Sequence, residues 1–349
     1  MNNTAQDIAP LLSPFDNFTP VQVKFVSVAS KVPALLSLWG SIFIIYDIIG
    51  TEHSRTKRLK NAYHRMMLGL SISDCIFSFF AWFLSTWPQP KDTIHSNFLW
   101  GNVGNDATCD AQGFMTQMGG ISSIYYTAVL SLYYLLFVKY SWKEKDFQKI
   151  EPFLHFAVIG FAIASATTLL VKGLFNPAMP MCYINRYPFW CDGEECIRGA
   201  NDHIFEYALF ITPVAIALLV IVISMSTLVV HAWIQESKIR RLSKPSLQQT
   251  DRRNRLTKIV FKRALRYVGA YILTWLPGVA FTMTVLAAES KENFNSDAIF
   301  VLAAFTCIIT PLNGLFNAMI YTESTISSLL KKMKARLTNE SIVSTASGF

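Results

Sequence analysis

The sequence predicts an all-α integral membrane protein. It reads as a seven-transmembrane helix bundle with the N terminus outside, the C terminus inside and a short amphipathic juxtamembrane helix after the last span. Three observations predict this. Only 15% of the 349 residues are charged while 52% are apolar, against about 25% charged in a typical soluble domain. Seven long stretches carry almost no charge. The cations gather on alternate connecting segments. Mean hydropathy is positive, at +0.33. This composition excludes a disordered chain and, despite a net charge of +8, a nucleic-acid-binding domain.

The uncharged stretches are residues 32–46, 75–90, 111–138, 152–171, 207–230, 267–288 and 298–322. Admitting Asp47 extends the first to 32–49, and admitting Asp74 extends the second to 66–90. At about 1.5 Å per residue each is long enough for a hydrocarbon core about 30 Å thick. Lipid offers no partner to backbone N–H and C=O groups, so the segments must be helices. The stretches are continuous rather than alternating, which excludes a transmembrane barrel.

An odd number of crossings puts the termini on opposite sides. Segments 50–65, 139–151, 235–266 and 323–349 hold 24 of the 31 Lys and Arg residues. The positive-inside rule makes these segments cytoplasmic. The expected organisation is an extracellular tail over 1–24, a transmembrane domain over 25–322, an amphipathic helix over 323–336 and a disordered tail over 337–349. Asn2-Asn3-Thr4 and Asn17-Phe18-Thr19 are glycosylation sequons on the expected outer tail. Residues 1–24 lack the basic start and separate apolar run of a cleavable signal, so the first helix is expected to target the chain. Trp87, Trp100, Trp142, Trp190 and Trp233 fall near expected interfaces, as an aromatic belt does.

Cys75 and Cys307 lie inside expected helices and read as small apolar residues. Cys109, Cys182, Cys191 and Cys196 all fall on the oxidising outer side, where disulfides form. Four Cys allow three connectivities. Cys191 and Cys196 enclose a short Asp-Gly-Glu-Glu turn and are placed to close on each other, leaving Cys109 for Cys182. A zinc site is the competing reading, but no His is suitably spaced with these Cys. Asp192, Glu194, Glu195, Asp202 and Glu206 make the outer side acidic, either as a simple solvated loop or as a surface unsuited to a bulk polyanion. Lys172 and Arg198 remain available there to a single phosphate.

Motifs inside the helices sharpen this picture. Leu70-Ser71-Ile72-Ser73-Asp74, Thr274-Trp275-Leu276-Pro277 and Asn317-Ala318-Met319-Ile320-Tyr321 stand in the second, sixth and seventh spans. Cys109 opens the third, and Pro213 lies in the fifth. With seven spans and an outer N terminus, the combination resembles a G-protein-coupled receptor over residues 25–335. Thr274 replaces the usual Cys, and Ala318 the usual Pro, with Pro311 upstream instead. The inner end of the third span reads Tyr133-Tyr134-Leu135 rather than aspartate-arginine-tyrosine. The fourth span, 152–171, has no Trp. Ser131-Leu132-Tyr133-Tyr134, Met181-Cys182-Tyr183-Ile184 and Pro311-Leu312-Asn313-Gly314 look closer to the cyclic-AMP-receptor-like branch of slime moulds and protists, with its secretin-like affinities. The resemblance does not carry cyclic AMP over as the ligand.

A carboxylate at mid-membrane is costly, about 2.5–3.5 kcal/mol on insertion scales, so Asp74 must face the bundle interior. The resemblance offers Ser71, Ser41, Asn313 and Asn317 as its surroundings and sodium as an occupant, with no other metal and no cofactor implied. A switch and a structural clamp between the second and seventh helices fit equally. Pro277 removes a backbone hydrogen bond beside Trp275, which makes either a hinge or a plain kink. The expected switch set is Asp74, Trp275, Pro277, Asn313, Asn317 and Tyr321. By position, Gln112, Thr116, Gln117, Ile121, Trp275, Phe281 and Phe300 are expected to bind ligand. Gly119-Gly120 reads as close helix packing.

Segment 235–266 carries 11 Lys and Arg against two acids. It suits an acidic G-protein surface or anionic inner-leaflet lipid, beyond simple orientation of the chain. Lys139, Arg240, Arg241, Lys258, Lys262, Arg263 and Arg266 are the expected G-protein-facing residues. Arg240-Arg241-Leu242-Ser243 matches a basophilic kinase consensus, as basic loops often do by chance. Ile326, Leu329, Leu330 and Met333 have helical spacing beside Lys331, Lys332, Lys334 and Arg336.

The leading expectation is a plasma-membrane receptor, not an enzyme, that couples a small-molecule or peptide ligand outside to a heterotrimeric G protein inside. A retinal protein needs a Lys in 298–322, and there is none. The alternative is a seven-helix transporter or channel, yet no repeat, filter run or second deep charge is evident. The six His are scattered, without the paired spacing of a membrane hydrolase.

Overall fold

The structure, a computed structural model, describes residues 15, 17–93, 99–188, 191, 195–241, 248–289 and 295–323. The expected helix over 323–336, apart from Glu323, and the tail 337–349 lie outside the described residues. Among the described residues, seven helices are long and apolar enough to cross a membrane. They are Pro20–Ile49, Ala62–Phe83, Asp106–Val138, Glu144–Val171, Asp202–His231, Leu265–Ala287 and Ser296–Glu323, the first to seventh helices below.

The boundaries differ instructively from the uncharged runs. The first helix begins at Pro20, inside the expected tail, where Thr19 accepts from the Gln22 N–H and Gln22 reciprocates in a capping box. The second begins at Ala62 behind an Asn61 cap, and widens into a π-helix over Ser78–Phe83. It stops there rather than running to 90, because Ser85 takes φ 51° and Pro88 and Pro90 follow. Lys31 stabilises this end. Its ammonium donates to the Phe83 and Leu84 carbonyls at 2.9 and 3.3 Å and sits 3.6 Å from the Trp87 ring centroid. Charges near helix ends are thus paired, and counting charge-free residues truncates the helices. Lys31→Met should leave both carbonyls unpaired and cost about 1–3 kcal/mol, read as a lower melting temperature in lipid nanodiscs.

The third helix is the axis of the bundle, packed against its neighbours along most of its length. Gly119 lets it approach the second: a Cβ there would fall 2.8 Å from the Phe77 amide nitrogen. At one end, called the disulfide end, strands β1 (Phe175–Asn176) and β2 (Tyr183–Ile184) form an antiparallel hairpin. The Cys109–Cys182 disulfide ties that hairpin to the start of the third helix, and Cys191–Cys196 closes a short loop beside it. Gly113 leaves room for Phe175, whose ring lies 2.4 Å from where a Cβ would stand.

The opposite, basic end is held by Tyr63, Tyr133, Tyr134, Tyr267 and Tyr321, all buried. Tyr63 stacks on Tyr321 and its hydroxyl bonds that of Tyr267 at 3.0 Å. Arg65 grips Glu151 with two nitrogens at 2.5 Å, joining the second and fourth helices. Trp87, Trp100 and Trp233 are exposed at the helix margins; Trp190 lies outside the described residues.

Candidate functional site

A cavity of about 170 Å³ lies at the disulfide end between the third, fifth, sixth and seventh helices. Its floor is Trp275, which stacks on Phe77 with centroids 5.2 Å apart and an interplanar angle of 14°. Gly120 opens the space beside these rings; a Cβ there would touch Phe77 at 3.2 Å. The walls include Thr116 and Ile121, Phe210, Val279 and Phe281, and Thr306 and Thr310. Met179–Asn185 of the hairpin region and Phe15 roof it. Phe15 is buried, its ring centroid 5.6 Å from Phe18 and 6.3 Å from Phe281.

Of the expected ligand-binding residues, Thr116, Ile121, Trp275 and Phe281 line this cavity, whereas Gln112, Gln117 and Phe300 do not. The Gln112 amide donates to the Phe80 and Ser85 carbonyls and accepts from the Cys182 N–H at 2.9 Å, so it anchors the roof. Phe300 packs edge-on against Phe18 and Phe25. Gln117 mends the fifth helix. Pro213 lacks the N–H that would reach the Leu209 carbonyl, and Gln117 Nε2 supplies a donor there at 3.0 Å. Its oxygen accepts from the Tyr183 hydroxyl at 2.6 Å. Burial, reinforced by the Glu206 charge, holds that hydroxyl well above the usual phenol pKa. Gln117→Leu should orphan both groups and cost about 2–4 kcal/mol. Adding Pro213→Ala should recover part of that loss, and a double-mutant cycle of melting temperatures measures the coupling.

Beneath the floor lies the polar centre. Asp74 is 1% exposed and has three donors. Ser123 Oγ and Asn313 Nδ2 reach Oδ1 at 2.5 and 2.8 Å, and Asn317 Nδ2 reaches Oδ2 at 2.8 Å. Asn313 and Asn317 were legible; Ser123 was not, and the buried Ser41 and Ser71 hydroxyls make no hydrogen bond to Asp74. Thr274, next to Trp275, donates to Asn313 Oδ1 at 3.3 Å and so connects floor to centre. Pro311 sits in a short 3-10 turn, Thr310–Leu312, just before Asn313.

At the basic end, Tyr321 donates to Asp47 Oδ2 at 2.7 Å and accepts from Arg58 Nη1 at 2.5 Å, while Arg58 also bonds Asp47. Arg266 pairs with Glu323 across the sixth and seventh helices. Lys139 and Lys262 are exposed. The side chains of Arg240, Arg241, Lys258 and Arg263 lie outside the described residues.

The lining runs from Phe15 and the hairpin down to Trp275 and Thr310 at mid-span and takes no described residue from the basic end, so the space reads as a well rather than a pore; seven spans around such a well are the architecture of a membrane receptor. Comparison with known proteins agrees. The model of the family described as 7 transmembrane receptor (rhodopsin family) matches residues 48–321, and the chain belongs to that family: it is a G-protein-coupled receptor. Squid rhodopsin is similar in fold, with a TM-score of 0.59 and 15% identity over 92% of this chain and 87% of that one. No curated protein matches the chain. Membership makes it a multi-pass membrane protein of a class typically found in the plasma membrane, a receptor rather than an enzyme, with an extracellular ligand and a G protein as partners.

Proposed function

We propose that the cavity at the disulfide end is the ligand site, and that ligand contact with Trp275 biases the polar centre below it. The observation that carries this is the continuous route from Trp275 through Thr274 and Asn313 to Asp74. A ligand favouring one Trp275 position shifts the population of bundle states, and the G protein reads the shift at the other end. In this reading the disulfide end is extracellular, as the distribution of 24 of the 31 cations supports.

The inner end has a matching device. Without aspartate-arginine-tyrosine on the third helix, the sixth is held inward by Tyr267 on Tyr63 and by Arg266 on Glu323. Lys139, Arg240, Arg241, Lys258, Lys262, Arg263 and Arg266 form the docking surface for the G protein and for anionic lipid. The residues fit a small hard cation at Asp74, since the Ser71 hydroxyl, one turn away, is buried and makes no hydrogen bond. With the Asp74 carboxylate and Ser123 it supplies an oxygen set, and an ion there would add a fixed positive charge beside Asp74. The phrases around Tyr133, Cys182 and Asn313 support a place toward the cyclic-AMP-receptor-like branch. The transporter alternative finds no support in a well that takes no described residue from the basic end, and retinal chemistry none in a seventh helix without Lys.

The test is a ligand-library screen on the protein in nanodiscs, read as G-protein nucleotide exchange. Thr282→Trp, which fills the well, should abolish the ligand response and keep basal exchange. A response that survives it places the ligand elsewhere. Tyr267→Phe removes the Tyr63 bond and should raise basal exchange several-fold, given about 0.5–1.5 kcal/mol for the bond; unchanged basal exchange would free that pair from any gating role.

A further inference from the structure

Three threonines of the well break a habit that others in the bundle keep. Thr127, Thr168, Thr274, Thr284 and Thr322 each turn the hydroxyl back onto the carbonyl four residues earlier in their own helix, at 2.8–3.0 Å. Thr116, Thr306 and Thr310 do not. Each is only 3–4% exposed and lines the well, and its Oγ1 finds no hydrogen-bond partner among the described residues. The indole N–H groups of Trp275 and Trp82, also in the lining, are equally without one. Buried polar groups carry a desolvation penalty until a partner arrives.

A second observation places these groups at the deep end. Thr306 and Thr310 stand one turn apart on the seventh helix and face Gly278, which follows Trp275 by three residues on the sixth. A Cβ on Gly278 would lie 3.8 Å from Thr310 Oγ1 and 3.9 Å from Thr306 Cγ2, so the glycine leaves the space before both open. Thr116 lies one turn above Gly120, where a Cβ would stand 3.8 Å from the Trp275 ring. An indole N–H only donates, whereas a hydroxyl donates or accepts. No Lys, Arg or His stands among the described lining residues. Both lining carboxylates, Asp202 and Glu206, already have interactions within the protein.

We propose that the well takes a neutral, ring-bearing molecule whose inner end is an oxygen that accepts hydrogen bonds, a carbonyl or a hydroxyl, held by Thr306, Thr310 and the Trp275 indole. This rests on the reading of the well as the ligand site. The space of about 170 Å³ is little larger than a cavity of about 150 Å³ that holds benzene, so it suits one ring or two fused ones. The body lies among Phe77, Phe210 and Phe281. The oxygen accepts from the indole and from one threonine, and a hydroxyl returns its own proton to the other. A cationic tip would meet an N–H that only donates, and an anionic one would be buried with no basic group beside it.

The experiment uses the full chain in nanodiscs and follows melting temperature against free probe concentration for four bicyclic molecules of like size. Of these, 1-indanone only accepts, 1-indanol accepts and donates, indole only donates, and indane-1-carboxylate is an anion. The ketone and the alcohol should half-saturate at concentrations about tenfold below indole, and the carboxylate should not stabilise at all. Thr306→Val and Thr310→Val should each raise the half-saturating concentration of 1-indanone about fivefold. Neither should lower the melting temperature of the unliganded receptor, because neither hydroxyl has a partner to lose; Thr274→Val, whose hydroxyl is bonded, should lower it. Indole or the carboxylate binding as tightly as 1-indanone, a ketone that does not bind, or ketone binding unchanged in both valine variants would each overturn the proposal. The four probes on the unaltered protein decide the matter even if the variants fail to fold. Stabilisation that survives Thr282→Trp overturns the well as ligand site; equal binding of 1-indanone and indole, both lost in Thr282→Trp, overturns only the accepting oxygen.

Discussion

Alanine at Cys109 or Cys182 should strip the receptor of most of its folded population. The bridge closes a loop of 73 residues in sequence separation. In the chain-entropy model a loop of that size corresponds to about 4 kcal/mol. The same bond positions Met179–Asn185 over the well, so the variant should lose ligand stabilisation together with thermal stability. Alanine at Cys191 or Cys196 is the control. That bridge spans only 5 residues, worth about 2 kcal/mol in the same model, and it supplies no lining residue. Melting curves of the single variants, with and without a ligand found by the screen, separate the two bonds. Equal losses in all four would remove the special role given to Cys109–Cys182.

The second large effect falls on Asp74. Replacing it with Leu removes the acceptor shared by Ser123, Asn313 and Asn317. Each orphaned buried group costs about 1–3 kcal/mol. Asn313 already reaches Ser123 Oγ at 3.2 Å, so part is recovered and a net loss of about 3–5 kcal/mol is expected. Asp74→Asn keeps the shape and one acceptor oxygen but turns the other position into a donor. It should fold and change basal nucleotide exchange. Wild-type exchange and an unaltered response to sodium in that variant would reduce Asp74 to a clamp.

How much of this was legible beforehand depends on which force placed each residue. The spans were, because lipid forces continuous apolar runs into helices whatever the side-chain details. Their ends were not. Lys31, Arg65 and Glu151 sit within helices because each finds a partner across the bundle, and no local pattern announces a partner. Asn313 and Asn317 were legible through the family resemblance, whereas Ser123 is one hydroxyl among several on the third helix. Gln112 and Gln117 were expected to meet ligand because they lie on the same helix as Thr116 and Ile121. Their amides serve backbone groups left unpaired by the hairpin and by Pro213, and neither lines the cavity. Glu206 was read within an acidic loop region, and only the helical turn after Asn201 brings it to the well.

Phe15 adds a question of rates. Its ring lies in the roof, wedged against Phe18 and Phe281. If the roof beside Phe15 is the way in, that ring has to withdraw for a ligand to enter or to leave. Opening then limits association and dissociation alike, as lid motions do elsewhere. Phe15→Ala should speed both in parallel and leave the equilibrium constant little changed, so the receptor's response time would be set by one phenylalanine ahead of the first helix rather than by the well itself.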